Sequence, residues 1–294
     1  MDLTIAHKKF IENLKRKNRA HSTIIAYSKD IQQLIEYLRK KESITEIKDV
    51  KSTHLNRFME GLRKQGYTLK SISRKTNSTK TFFKFLKEEL NIIENNPANM
   101  VSHPKLTPKA PRILSKIEYK ALRDAVKKDI RTYAIVEILL QTGIRISELA
   151  EIRLQHIKMS EENKGDKGTL YIPKRGSNEE RTIPLNKSVQ QAIREYLKIR
   201  PFSKKDYLLV TKTGNQLLVR NIRSTLDKYF KEIGLENVKV NDLRHTFIAQ
   251  HLERGTPIYI VSKVAGHKRL STTEKYLEYI KATNKDTQFE LEEL

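Results

Sequence analysis

Arginine, histidine and tyrosine follow one another along the second half of this chain in an order suited to phosphate chemistry. Arg145 lies in the segment Thr142-Gly143-Ile144-Arg145-Ile146-Ser147-Glu148-Leu149, and Arg244 in Asn241-Asp242-Leu243-Arg244-His245-Thr246. His267 follows Gly266, and Tyr276 stands nine residues beyond it. A guanidinium fork can hold two non-bridging phosphate oxygens through parallel hydrogen bonds. A tyrosine hydroxyl can attack phosphorus and form a covalent ester. Two guanidiniums would neutralise the charge that develops on a five-coordinate phosphorus. Glu148 comes three residues after Arg145, a helical spacing at which its carboxylate could accept a hydrogen bond from the guanidinium and fix the fork. Asp242 and Glu148 are isolated carboxylates, so no metal or other cofactor is expected.

These segments resemble the TGxRxSEL, xxLRHTF and GHxxxxTTxxY blocks of the tyrosine recombinase (phage integrase) family in residue type, order and spacing. The family includes phage integrases, chromosome-dimer resolvases and transposon resolvases. The resemblance covers nearly the whole chain and is strongest from Gly143 to Tyr276. It implies that Arg145 and Arg244 bind the scissile phosphate, that His267 hydrogen-bonds it in the transition state, and that Tyr276 is the nucleophile. Read from its neighbours alone, His267 is a cap or core group. Tyr279 is the rival nucleophile, three residues on, but the interval from His267 favours Tyr276.

The family protonates the leaving 5′-oxygen with a lysine on a β-hairpin. Lys174 is the best match here, in Tyr171-Ile172-Pro173-Lys174-Arg175-Gly176, with Arg181-Thr182-Ile183-Pro184-Leu185 as the returning strand. The alternative is a hairpin lysine that touches only phosphate or solvent. Arg175 is a poor acid because its guanidinium hardly deprotonates. The departure from the family is Asn241, where histidine is usual. Asparagine can hydrogen-bond a phosphate oxygen or the tyrosine but cannot take a proton near neutral pH. His245 follows Arg244 directly, and on a helix it points about 100° away from it, which argues against His245 as the missing base.

Composition agrees with a polyanionic partner. The chain has 58 Lys+Arg against 35 Asp+Glu, a formal charge of +23. Residues 1–96 carry net +10 and residues 97–294 net +13, as expected of a clamp rather than a basic tail. There is no cysteine, hence no disulfide framework and no thiolate zinc site. The start lacks a basic segment followed by an apolar stretch, and no apolar run approaches membrane-spanning length. The expectation is a cytoplasmic, DNA-associated protein.

The chain must supply elements that hold these residues. Four of the eight prolines, Pro97, Pro104, Pro108 and Pro111, fall within fifteen residues and mark a linker over 97–111. Before it, Ile24, Tyr27, Ile31, Leu34, Ile35 and Leu38 share one helix face. A second helix ends in Phe82, Phe83, Phe85 and Leu86, read as core rather than as base-stacking residues. Residues 1–96 thus read as an all-helical unit resembling the family's core-binding domain. After the linker, Ser115 reads as a helix cap, a helix through Tyr133–Gln141 stops at Gly143, and residues 169–174 and 181–185 form a hairpin. Helical patterns follow over 187–198, 219–232, 242–254 and 257–265.

The expected fold is mainly α: an all-helical N-terminal domain, and over 112–280 an α+β, mostly helical catalytic domain with a small hairpin sheet. Residues 281–294 are either a frayed tail or a segment that docks Phe289, Leu291 and Leu294 on a neighbouring subunit. The expected function is site-specific DNA recombination through a 3′-phosphotyrosyl link and a Holliday junction. A homotetramer would act on double-stranded DNA bearing inverted repeats. Two alternatives are a non-catalytic DNA-binding protein on a decayed recombinase scaffold, which Asn241 favours, and a relaxing topoisomerase with the same chemistry.

Overall fold

In a computed structural model of the chain, residues 1–107, 109–160, 168–176 and 178–283 are described, the last three without their side chains. The chain divides into two compact units, Met1–Lys109 and Ala110–Leu294.

The first unit is built from four helices, α1 (Leu3–Arg16), α2 (His21–Glu42), α3 (Ser52–Lys64) and α4 (Leu69–Glu88). Side chains that can accept from free N–H groups start two of them: Asp2 caps α1 and Thr68 caps α4. The expected apolar face of α2 is buried at Ile31, Leu34, Ile35 and Leu38, with Ile24 and Tyr27 packed at its edge. Phe82, Phe83, Phe85 and Leu86 of α4 are all in the core, so the aromatic cluster is packing. Phe10 meets Phe82 edge-to-face at 5.2 Å. Pro97–Met100 forms a short 3₁₀ turn whose Ala98, followed by Val101, is buried in this same core. Under α4, Asp30 is buried beside Lys75, whose Nζ lies 2.8 Å from Oδ1, and Arg74 completes the ion cluster from the surface.

The second unit surrounds one central helix. Ser115 and Glu118 form a capping box at the start of α5 (Lys116–Val126). Then comes α6 (Ile130–Thr142), buried along almost its whole length, with Ala134, Ile135, Val136, Ile138 and Leu139 at 1% exposure or less. Gly143 ends it in the left-handed conformation, φ 60°. A Cβ there would lie 2.2 Å from Phe247 Cδ1, so both conformation and space demand glycine. One turn of helix, α7 (Ile146–Leu149), follows directly.

An antiparallel sheet comes next in the order β1 (Ile157–Lys158), β2 (Thr169–Ile172), β3 (Arg181–Pro184), with Ile172 opposite Arg181. The hairpin of β2 and β3 lies where its branched residues indicated. The two-residue β1 is an addition, too short to show a period. Between β2 and β3 the hairpin narrows again where Arg175 and Asn178 exchange backbone hydrogen bonds of 3.1 and 3.0 Å. The remaining helices are α8 (Lys187–Ile199), α9 (Val219–Glu232), α10 (Val240–Glu253), α11 (Ile258–Ala265) and α12 (Ser271–Thr283). Helix α10 packs on α6, and α12 packs on both α10 and α11. A separate apolar cluster of Phe247, Ile248, Val261, Ala265, Tyr276 and Ile280 joins these last three helices. No helix among the described residues is long and apolar enough to cross a membrane. The tail beyond Thr283, with Phe289, Leu291 and Leu294, lies outside the described residues.

Candidate active site

Three helix ends and one strand converge on the predicted residues. Arg145 sits in extended conformation between α6 and α7, two residues past the Gly143 reversal. Its backbone N–H donates to Glu148 Oε2 at 2.8 Å and its Nη1 to Glu148 Oε1 at 3.1 Å, the contact that the helical spacing indicated. Its Nη2 donates to the carbonyl oxygen of Gly266 at 2.9 Å. The side chain is thus clamped from both sides yet remains 32% exposed.

Glu148 is shared. Arg181, at the start of β3, donates Nη1 and Nη2 to its two oxygens at 3.1 and 2.8 Å, and Nε to the carbonyl of Val264 at 2.8 Å. Burial pushes the Glu148 carboxyl up, but the bonds from Arg181 and Arg145 outweigh it and hold the pKa below the ordinary value. In the sequence Arg181 stands only as the first residue of a returning strand. Its signal was the alternation: Arg181, Ile183 and Leu185 all face inward, and an inward arginine needs a buried partner. Gly266 belongs to the same construction. It ends α11 with φ 69°, and a Cβ there would lie 2.8 Å from the Arg181 guanidinium carbon.

Arg244 enters from α10 and is 6% exposed. Among the described residues it hydrogen-bonds only the Gly143 carbonyl oxygen, from Nη1 at 2.5 Å. Burial and the neighbouring charge of Arg145 lower its pKa to about 10, which still leaves it charged at neutral pH. Two guanidiniums close enough to repel, with a third on Glu148, make a pocket of strong positive potential, suited to an anion.

Tyr276 is 7% exposed, its ring in the apolar cluster and its hydroxyl at the polar edge. Burial raises its pKa above 10, and the charge of Arg244 works in the opposite direction. The hydroxyl lies 2.5 Å from His245 Nδ1. His245 Nε2 in turn lies 2.7 Å from the Asn241 amide, one helical turn back. His245 does diverge from Arg244 as helix geometry dictates, and this divergence is what aims it at Tyr276. Asn241, expected to reach a phosphate oxygen or the tyrosine, contacts His245 instead. His267 turns Nδ1 toward Thr273 Oγ1 at 2.7 Å, at the start of α12, and its ring stacks at 6.4 Å on Tyr276. Burial, then Arg244 and Arg145, lower its pKa to about 4, so it is neutral at pH 7.

Lys174 is not in this network. It is exposed on the hairpin and makes no hydrogen bond or ion pair among the described residues. The next residue, Arg175, reaches α7 and the residues just after it: Nη1 to the Ser147 carbonyl at 3.4 Å and Nη2 to Glu151 at 3.7 Å. The turn therefore leans on the segment that carries Arg145. Tyr279 is half-buried on α12 and acts electrostatically on Tyr276, raising its pKa.

A helical unit followed by a mixed unit with this cluster defines a recognisable class. Residues 112–282 match the phage integrase family, and residues 8–90 match the N-terminal SAM-like domain of phage integrases. The chain belongs to the phage integrase family and is a tyrosine recombinase. It is similar to a tyrosine recombinase XerC of Anoxybacillus flavithermus, 30% identical over 287 residues and covering 92% of each chain. Among solved structures it resembles a XerH site-specific recombinase bound to a palindromic difH substrate. The TM-score is 0.75 at 18% identity, covering 91% of this chain and 79% of that one. It also resembles a Tn1549 transposon integrase in complex with transposon right-end DNA, with a TM-score of 0.74 at 20% identity and 94% coverage of both chains.

Proposed function

We propose that the chain cuts and rejoins double-stranded DNA at a specific site, with Tyr276 as nucleophile. The observation that carries this is the meeting of Arg145, Arg244 and the Tyr276 hydroxyl in one positively charged pocket. Arg145 retains N–H donors beyond the two that Glu148 and Gly266 use, and Arg244 retains donors beyond the one on Gly143. Together they can bracket a phosphodiester and stabilise its trigonal-bipyramidal transition state. Attack by the tyrosine oxygen forms a phosphotyrosyl ester on the 3′ side and releases a 5′-hydroxyl. His267, neutral, is suited to donate a hydrogen bond to a phosphate oxygen. Lys174, on a turn that rests against α7, is suited to protonate the leaving oxygen. The ester conserves the bond energy, so rejoining needs no external energy source.

Binding is two-sided in this reading. The first unit carries net +10, and α9 presents Arg220, Arg223, Lys228 and Lys231 on one exposed ridge of the second. Lys105, Lys109 and Arg112 would cross the DNA backbone in the proline-rich stretch. Four subunits would synapse two inverted-repeat sites and exchange strands through a Holliday junction, joined by the C-terminal tail. In this reading the protein acts on DNA in the cytoplasm.

The test is Tyr276→Phe. It should bind DNA as the parent does, yet trap no covalent adduct on a duplex nicked beside the scissile phosphate. An adduct that survives Tyr276→Phe but is lost in Tyr279→Phe would move the nucleophile to Tyr279.

A further inference from the structure

The family's usual histidine is missing at position 241, yet an imidazole does meet the nucleophile. We propose that His245 takes the proton from Tyr276, and that Asn241 is a positioning residue that selects which nitrogen of His245 is free to take it. The proposal rests on Tyr276 being the nucleophile. It departs from the sequence reading, which looked for the base at position 241 and set His245 aside.

The geometry forms a chain of three side chains on two helices. Asn241 and His245 are four residues apart on α10, so they stack on one face of the helix. The structure places Asn241 Nδ2 2.7 Å from His245 Nε2, and Nδ1 lies 2.5 Å from the Tyr276 hydroxyl. Two hydrogen-bond patterns fit these distances. In one, the Asn241 NH₂ donates to Nε2, which puts the ring proton on Nδ1 and leaves nothing to accept from the tyrosine. In the other, the amide is turned by half a rotation, and its oxygen accepts from Nε2–H. Nδ1 then presents a lone pair to the tyrosine O–H. Only the second pattern supports catalysis.

The step balances in that pattern. The Oη–H bond of Tyr276 breaks and its proton passes to Nδ1 as the Oη–P bond forms. The P–O5′ bond breaks, and the 5′-oxygen takes a proton from the acid, for which Lys174 is the candidate. His245 is then an imidazolium whose two N–H groups point at the Asn241 oxygen and the phosphotyrosyl oxygen. In rejoining, the 5′-hydroxyl attacks and gives its proton back to the acid that supplied it, Lys174 in this reading, while the imidazolium proton returns to the departing tyrosine oxygen. A histidine at position 241 would add a second titrating ring. The amide can accept from both the neutral and the charged ring without changing its own charge.

The charged neighbours are consistent with a neutral resting His245. Burial lowers its pKa, Asp242 on the same helix opposes this, and Arg244 adds to it. Across from α10 it faces Tyr276 on α12 and His267 in the turn before that helix. Arg145 and Arg181 complete the positive surroundings of this pocket. A phosphodiester between the arginines brings a negative charge that favours the imidazolium at the moment of attack.

The experiment uses the full chain and a nicked duplex carrying a site selected from random-sequence DNA by the Tyr276→Phe protein. Single-turnover adduct formation is followed across pH, with the ordinary phosphodiester and with a 5′-bridging phosphorothiolate, whose sulfur leaves without protonation. His245→Ala should slow cleavage by about 100- to 10,000-fold, with DNA affinity unchanged. The phosphorothiolate should not rescue it, although it should rescue Lys174→Ala. Asn241→Asp keeps the acceptor and adds a charge, so it should move the acidic limb of the pH profile to higher pH. This shift is read in a protein that keeps His245, so it does not depend on His245→Ala folding well. A His245→Ala protein that cleaves as fast as the parent, or that the phosphorothiolate restores, overturns the proton acceptor. An Asn241→Asp profile that does not move overturns the positioning role. A parent that forms no adduct overturns the recombinase reading and the relay together, whereas a cleaving parent with an equally fast His245→Ala variant overturns the relay alone.

Discussion

Replacing Glu148 with glutamine should cost about 3–5 kcal/mol of folding stability, the usual effect of leaving a buried charge without its partner. Glu148 and Arg181 are 8% and 5% exposed, so water can do little to compensate. Glutamine keeps the shape of the carboxylate. It also turns one of two acceptors into a donor that faces the Arg181 and Arg145 N–H groups. The expected loss is a large part of the about 5–15 kcal/mol available to a domain. Urea unfolding of the full chain, followed by far-ultraviolet circular dichroism, should show a lower midpoint.

Removing both charges, as Glu148→Leu with Arg181→Met, should recover most of that stability, because neither partner of the buried Glu148–Arg181 pair is left behind. Cleavage should stay lost, since Arg145 has no carboxylate to fix its fork. Stability and activity then part company in one protein. The sign with pH is also set. The folded pKa of Glu148 is depressed, so its contribution is complete above the unfolded value and fades as pH falls through the folded one. The gap between parent and Glu148→Gln should therefore close under acid conditions. A destabilisation below about 1 kcal/mol, typical of an exposed pair, or a double variant that cleaves like the parent, would refute the argument.

Three other outcomes are expected. Gly266→Ala should lower both the unfolding midpoint and the cleavage rate, because its Cβ would strike the Arg181 guanidinium and φ 69° disfavours a side chain. Arg223→Ala with Lys231→Ala should weaken DNA binding and make the slope of log affinity against log salt shallower by about 1.8, if each cation neutralises one phosphate; gel-shift titration over a salt series measures it. Truncation after Ala282 should leave single-site binding intact but weaken cooperative filling of paired sites in the same titration.

Most of the architecture was legible because local chemistry states it. Ser115 with Glu118, the stop at Gly143 and the apolar face of α2 each fix an element without help from the rest of the chain. The blocks that carry Arg145, Arg244, His267 and Tyr276 were legible as residue types and spacing. What sequence could not give was the meeting of elements. Helix geometry fixes the angle between Arg244 and His245, but not which helix His245 faces, and that decides whether it is idle or touches Tyr276. Arg181 sits between Glu180 and Thr182 and looks like any surface strand residue until its inward register is known. Ile157 and Lys158 make too short a strand to leave a pattern.

The seating of Tyr276 has a consequence of its own. The residue that offers its hydroxyl to the pocket also, with Ile280, roots α12 in the apolar cluster. Burying two such side chains contributes about 3–6 kcal/mol. The reagent and the anchor are therefore one object. On the proposed assignment, lifting α12 from its bed would withdraw the nucleophile while leaving both arginines in place, so the protein would grip a phosphate and be disarmed at the same time. A switch between holding DNA and breaking it would then lie in one helix, at an energy within reach of ordinary protein contacts.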